Sequence, residues 1–184
     1  MSSHENRVKI LRSEMERVQR HLAALPENGW TKQSACDLWE VRHVVAHLAG
    51  VSEFYANTVS RGLMGDTSTP EGRPDAGTAS GASSGDRIAQ GAIANAERLG
   101  DRLLSSLKEQ DDQLATVLTG LTPQDRIKPC YHPGGMVPAG NFIDLRLKEL
   151  ALHEWDIRSP TEPDTRLSRE CLPSIMILLA DARA

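Results

Sequence analysis

The sequence predicts an all-α protein: a four-helix bundle with long crossover connections and an extra helix at the carboxy terminus. Two observations predict it. Apolar residues recur at helical spacing in several long segments. Helix breakers are gathered into two long connections, at 65–86 and 126–141, rather than scattered through those segments.

Val8, Leu11, Met15, Val18, Leu22 and Leu25 alternate at three and four, the stripe of an amphipathic helix that ends before Pro26. Glu27-Asn28-Gly29-Trp30 reads as a turn. A second helix is expected over about 38–63, with Asp37 as its N-cap and Val41, Val44, Val45, Leu48, Val51, Tyr55 and Val59 as its buried stripe. His47 lies at the edge of that stripe. Residues 65–86 have no periodicity and almost no apolar bulk. A connection of this length is a mobile linker or an active-site lid, and its composition argues only for flexibility. A third helix is expected over 84–110, with Ile88, Ala92, Ala96, Leu99, Leu103 and Leu107 on one face. A short apolar piece at 114–121 and a turn follow. The Pro- and Gly-rich stretch 126–141 excludes helix and allows a hairpin-like excursion. A fourth bundle helix is expected over 141–158 and a last helix over 169–184. No internal repeat is visible.

A chain of 184 residues is most simply one domain with a substantial core, here 1–184. A charged content of 25% and a hydrophobic content of 39% are those of a soluble globular protein. A net charge of −4 leaves no basic footprint for nucleic acid. No apolar run is long enough for a membrane span, and the polar amino terminus lacks an apolar signal region. Both point to the cytoplasm. Cys36, Cys130 and Cys171 are odd in number and widely spaced, which argues against a disulfide framework and a thiolate zinc site.

The chemistry is concentrated in the segment from Arg146 to Asp156. Glu149 and His153 are four apart, so they share one helical face one turn from each other. Phe142, Leu145 and Leu152 fall on or beside that face, which therefore points inward. A carboxylate and an imidazole aimed at an apolar interior must be paired, hydrogen-bonded or bound to a metal. With His47 they make two imidazoles and one carboxylate, a set used by catalytic zinc and by non-haem iron. By spacing alone, Glu-x-x-x-His also occurs in many helices with no metal. Arg146 and Asp156 share the ligand face and are the candidate catalytic residues. Arg146 either binds a substrate carboxylate or neutralises Glu149. Asp156 either orients a ligand imidazole or pairs with Arg158 or Arg42. His132 is a candidate for the pocket mouth. Cys36 reads as a reactive thiolate or as packing beside Trp30 and Trp39. Trp155 points away from the ligands and reads as core.

Two motifs carry a family resemblance. The first is Trp30 followed by Ser34-x-Cys36-x-x-Trp39-x-Val41-Arg42-x-Val44-Val45-Ala46-His47-Leu48. The second is Arg146-x-x-Glu149-x-x-x-His153-x-Trp155-Asp156. In this order, roughly a hundred residues apart, they resemble the DinB-like superfamily. More closely, they resemble the amino-terminal domain of mycothiol-dependent maleylpyruvate isomerase, over roughly residues 5–160. The resemblance implies a four-helix bundle with a metal, usually zinc or another divalent ion such as nickel, at His47, Glu149 and His153. It implies mycothiol, a low-molecular-weight thiol, as cosubstrate. The chain departs from the family in two ways. His43 stands where members often carry Asp, and reads as an added ligand, a group behind the ligands, or surface. The isomerase also has a further carboxy-terminal domain for which this chain has no room, which puts the maleylpyruvate reaction itself in doubt.

The function expected is that of a metal-dependent enzyme that uses the thiol for S-transfer or isomerisation of an electrophilic small molecule. A metal-activated-water hydrolase and a non-enzymatic metal-binding bundle use the same three ligands. A second copy of the chain is a candidate partner; nucleic acid and membrane are not.

Overall fold

The computed structural model describes residues 3–78 and 82–181. Six α-helices run in the order α1 (Ser3–Ala23), α2 (Val41–Leu63), α3 (Ala82–Leu99), α4 (Leu103–Thr119), α5 (Phe142–Arg158) and α6 (Leu172–Asp181). A two-stranded antiparallel hairpin, β1 (Pro129–Cys130) with β2 (Val137–Pro138), precedes α5. It is the excursion expected from the Pro- and Gly-rich stretch. Helices α1, α2, α4 and α5 form the bundle, α1 and α2 each packing against both α4 and α5. The all-α four-helix bundle predicted from the sequence is thus the fold.

Its membership differs from the expected one. The helix expected over 84–110 is two helices, because Gly100 adopts φ +51°, a left-handed backbone that side chains disfavour. A 3₁₀ turn, Gly100–Arg102, joins the pieces. The apolar spacing continues across the break through Leu99, Leu103 and Leu107, all buried, so periodicity alone does not reveal it. Helix α4 absorbs most of the apolar piece expected at 114–121 and takes the third place in the bundle. Helix α3 packs on α2 outside the ring, and this displacement creates the wall of the cavity described below. The last helix starts with a 3₁₀ turn, Arg169–Cys171, and residues 182–184 lie outside the described residues. It docks on α5 through Ser174, whose hydroxyl donates to Asp144 at 2.8 Å.

Helix α2 begins at Val41 rather than near residue 38, so Asp37 is not its N-cap. Residues 33–40 instead form a tight loop: the Ser34 amide and hydroxyl both donate to the Trp39 carbonyl, at 3.0 and 2.6 Å. Glu40 is the N-cap, and its backbone N–H donates to His43 Nδ1 at 3.1 Å. His43, at 7% exposure, is therefore a buried cap and not surface.

The bundle centre is polar as well as apolar. Arg146 of α5 donates from Nη2 to Asp111 Oδ1 of α4 at 2.8 Å, with side-chain exposures of 0% and 1%. Ser52 of α2 donates to the same oxygen at 2.6 Å, and Gln19 of α1 donates to Oδ2 at 2.8 Å. One carboxylate thus gathers all four bundle helices. Replacing Asp111 by Ala strands the buried guanidinium, and the expected cost is about 3–5 kcal/mol. Urea unfolding tests this; a loss under about 1 kcal/mol would mean that the pair is not structurally important.

A second link is sensitive to pH. His4 of α1 donates from Nε2 to the Leu118 carbonyl of α4 at 2.9 Å. Burial lowers its pKa, with the charges of Arg126 and Arg7 acting in the same direction against the Leu118 hydrogen bond. Because the folded pKa lies below the unfolded value, the unfolded chain binds more protons. Stability from this group is full above the unfolded pKa of about 6.5 and is lost as pH falls through and below it. His4→Gln keeps a donor but cannot titrate. It is expected to flatten the decline in unfolding free energy between pH 7 and pH 5, and an unchanged slope would exclude His4 as its source.

Candidate metal centre

Helix α5 is buried through Ile143, Leu147, Leu150, Glu154 and Ile157. This arc fixes the rotation of every other side chain on the helix. Arg146 falls at the edge of this arc, next to His153 on the helical wheel, and is itself fully buried against Asp111. Glu149, His153 and Asp156 fall on one flank. Leu152 and Trp155 fall opposite the arc, each 40% exposed. The expectations that Trp155 is core and that Leu152 helps to turn the ligand face inward are thus corrected.

His47 of α2 meets that flank. His47 Nε2 lies 3.3 Å and His153 Nε2 3.4 Å from Glu149 Oε2. The ring centroids of the two histidines are 4.8 Å apart. One ligand atom from each of His47, Glu149 and His153 can be chosen so that all lie within 4.8 Å of one another. The three expected ligands are therefore brought together from two helices.

The surroundings set the protonation of this group. Burial opposes charge on Glu149, but the hydrogen bonds from His153 and His47 outweigh it and hold the carboxyl well below its ordinary value. Burial pushes His47 down. Burial acts the same way on His153, yet hydrogen bonds with Asp156, Cys36 and Glu149 reverse it and raise that imidazole to about 11.

Asp156 Oδ2 accepts from His153 Nδ1 at 2.8 Å. It pairs with neither Arg158, which holds Glu154 and Glu162, nor Arg42, which holds Glu40. With Nδ1 committed to Asp156, His153 presents Nε2 to Glu149 and His47, the arrangement usual behind metal-ligating histidines. Cys36 is half-buried, and with His153 and Asp156 it forms a second cluster of potential donors. The 33–40 loop brings it there, because the Ala35 amide donates to the Asp156 carbonyl at 2.8 Å. His43 belongs to neither cluster. Arg146 is committed to Asp111 rather than to Glu149.

Trp39, a motif position to which the sequence assigns no role, stands at the site. Its ring lies 5.0 Å from His47 and 5.9 Å from His153, centroid to centroid, and walls both imidazoles. Its indole N–H donates to the Ala89 carbonyl at 3.3 Å, tying α3 to this wall. Its place in the first motif, eight residues before His47, was the signal available.

A cavity of about 660 Å³ opens on His47 and Glu149, within the range of small-molecule sites. It lies between α2 and α3, under the long connection. Gly72, Arg73 and Pro74 of that connection line it, as does His132 at the pocket side expected from the sequence. The connection is anchored. Arg61 holds Asp66 at 2.8 Å, Arg73 stacks over Phe54 at 4.6 Å, the Tyr131 hydroxyl donates to the Pro74 carbonyl, and the Gly77 amide donates to the Pro133 carbonyl at 2.9 Å. Residues 79–81 of it lie outside the described residues.

Two solved structures match this fold: a mycothiol-dependent maleylpyruvate isomerase and a histidine-to-alanine mutant of a mycothiol-dependent maleylpyruvate isomerase. Each has a TM-score of 0.70, with 95% of this chain and 68% of that chain covered, at 18% and 19% identity. At such identity they speak for the fold alone. No curated protein matches the sequence. The family model described as the mycothiol maleylpyruvate isomerase N-terminal domain matches residues 11–158, which span the bundle and all three converging donors. The chain belongs to that family.

Proposed function

We propose that this chain is a metal-dependent cytoplasmic enzyme that uses a low-molecular-weight thiol, mycothiol, in S-transfer to or isomerisation of an electrophilic small molecule. The observation that carries the reading is the convergence of His47, Glu149 and His153 at the wall of a small-molecule cavity. Family membership supports the thiol and an isomerase-like reaction.

The donor set suits a divalent ion such as zinc. Two imidazoles and a carboxylate leave coordination positions free, and the hydrogen bond from His153 to Asp156 fixes which nitrogen is offered. Bound there, the ion supplies one thing: it favours the anionic form of a thiol placed beside it. The remaining work falls to the chain. Glu149 is the only anion among the three donors. A divalent ion held by these residues would leave the site with one net positive charge, which a thiolate would neutralise inside a half-buried pocket. Asp156 and Trp39 hold the imidazoles in place. The cavity would keep a second molecule against the sulfur, whose bond to carbon forms as an activated alkene's π bond opens, as an epoxide C–O bond opens to an alkoxide, or as a carbon–halogen bond releases halide. No protein nucleophile is required.

Replacing His153 by Ala is expected to remove bound metal while leaving the fold intact, since Ala is the better helix former. Elemental analysis beside circular dichroism tests this, and full occupancy in His153→Ala would rule out the site.

Cobalt substitution tests the thiol. A free thiol is only a few per cent ionised at neutral pH, its pKa being about 8.5. Mycothiol added to the cobalt protein should give a sulfur-to-cobalt charge-transfer band and release about one proton per site. A non-thiol analogue of the same sugar should give neither. Absence of both at saturating thiol would overturn the transferase reading. Glu149→Gln kinetics on esters and amides would then separate a hydrolase from a plain metal-binding bundle.

A further inference from the structure

The His153 ring meets potential ligands on both of its sides. Nε2 faces Glu149, and Nδ1 faces Asp156. Cys36 completes the second side: one ligand atom from each of Cys36, His153 and Asp156 can be chosen so that all lie within 4.8 Å of one another. Cys36 is half-buried, whereas Cys130 and Cys171 are each 0% exposed. The side chains of His153 and Asp156 are 17% and 18% exposed, which leaves the group open to a small ion from solvent.

The backbone braces the sulfur. The Cys36 amide donates to Ser34 Oγ at 3.1 Å, and its carbonyl accepts from the Trp39 amide at 2.9 Å and from Gln33 Nε2 at 2.8 Å. The Ala35 amide donates to the carbonyl of Asp156 itself, so the loop and the carboxylate keep their distance. Donors fixed in this way need little further ordering to bind. Among the described residues no lysine or arginine pairs with Asp156, whose ion-pair partner is His153. A thiolate, an imidazole and a carboxylate are all zinc ligands, and the thiolate selects soft ions over magnesium or calcium. Ligand atoms about 2.0–2.3 Å from a tetrahedral ion lie roughly 3.3–3.8 Å apart, so small side-chain rotations close the set.

We propose that Cys36 Sγ, His153 Nδ1 and a carboxylate oxygen of Asp156 form a second cation site, on the opposite side of His153 from Glu149, for a soft divalent ion such as cadmium or excess zinc. The ion replaces the thiol proton and the proton on Nδ1, and both go to solvent. Water fills the fourth position. With an ion at each nitrogen, the imidazole is a bridge. Like charges on its two sides repel, so filling either site weakens the other. The ion also takes Asp156 away from its hydrogen bond with His153. The second site thus makes the chain sensitive to excess soft metal, through a cysteine that the three-donor set does not include.

The site shares His153 with the proposed metal centre but needs no thiol substrate, and its test separates the two. Cadmium is titrated into the full chain after dialysis against chelator. Bound ion is counted by equilibrium dialysis with elemental analysis, and sulfur ligation is read from the ultraviolet thiolate-to-cadmium band. The wild-type protein should bind two ions per chain and show the band. Cys36→Ser should keep one ion, at His47, Glu149 and His153, and lose the band. His47→Ala should keep one ion together with the band. Cadmium should also protect Cys36 from alkylation by iodoacetamide in both the wild type and His47→Ala, as read by peptide mass spectrometry. Circular dichroism checks that each variant is folded. If the wild type binds one ion with the band, Cys36→Ser binds none and His47→Ala is unchanged, the second site stands and the proposed centre fails. If the wild type binds one ion without the band, the proposed centre stands and the second site fails. A band that survives in Cys36→Ser would overturn the second site. So would a band lost in His47→Ala, since Cys36 would then belong to a single composite site.

Discussion

The buried Asp111–Arg146 pair is the contact on which the rest of the bundle depends. Each ion is costly to desolvate, and their attraction compensates only with further hydrogen bonds in place. Gln19 and Ser52 supply those bonds to the carboxylate, from α1 and α2. An apolar core tolerates small slides of one helix past another. A carboxylate that must meet donors from three other helices does not, because a slip leaves a buried charge without its partners. Arg146 Nε and Nη1 have no partner among the described residues, so the guanidinium is held on one edge alone.

The same pair sets the position of the candidate metal centre. Arg146 occupies the bundle centre, and the helical period then places Glu149 and His153 on the flank of α5, within reach of α2 but outside the core. The centre is consequently half-buried: enclosed enough for charge interactions to be strong, open enough for a second molecule to arrive. Helix α3, displaced from the bundle by the break at Gly100, forms the far wall. The long connection forms the roof, held there by Arg61, Tyr131 and Gly77.

Hydrogen bonding also sorts the polar residues by role. Asp156 lies behind His153, fixing which nitrogen faces the site. His43 caps α2, and its burial is explained by that bond alone. Tyr55 and His132 line the cavity, and the Gly134 amide donates to His132 Nδ1.

The sequence by itself determined the helical class, the stripes of α1 and α2, the irregular excursion before α5, and the three converging donors. These follow from local period: the spacing of Glu149 and His153 fixes their common face, and an edge position on α2 brings His47 near it. The sequence alone did not decide the exchange of α3 for α4 in the bundle, the commitment of Arg146 to Asp111, or the outward turn of Trp155. The apolar period runs unbroken across Gly100, and a glycine's φ depends on the packing of both flanking helices. Arg146 and Glu149 share a helical side by spacing, but which of them faces the centre depends on Asp111, thirty-five residues away on another helix. Tyr55 was legible only as a core aromatic, because the cavity it lines exists only once α3 and the long connection fold beside α2.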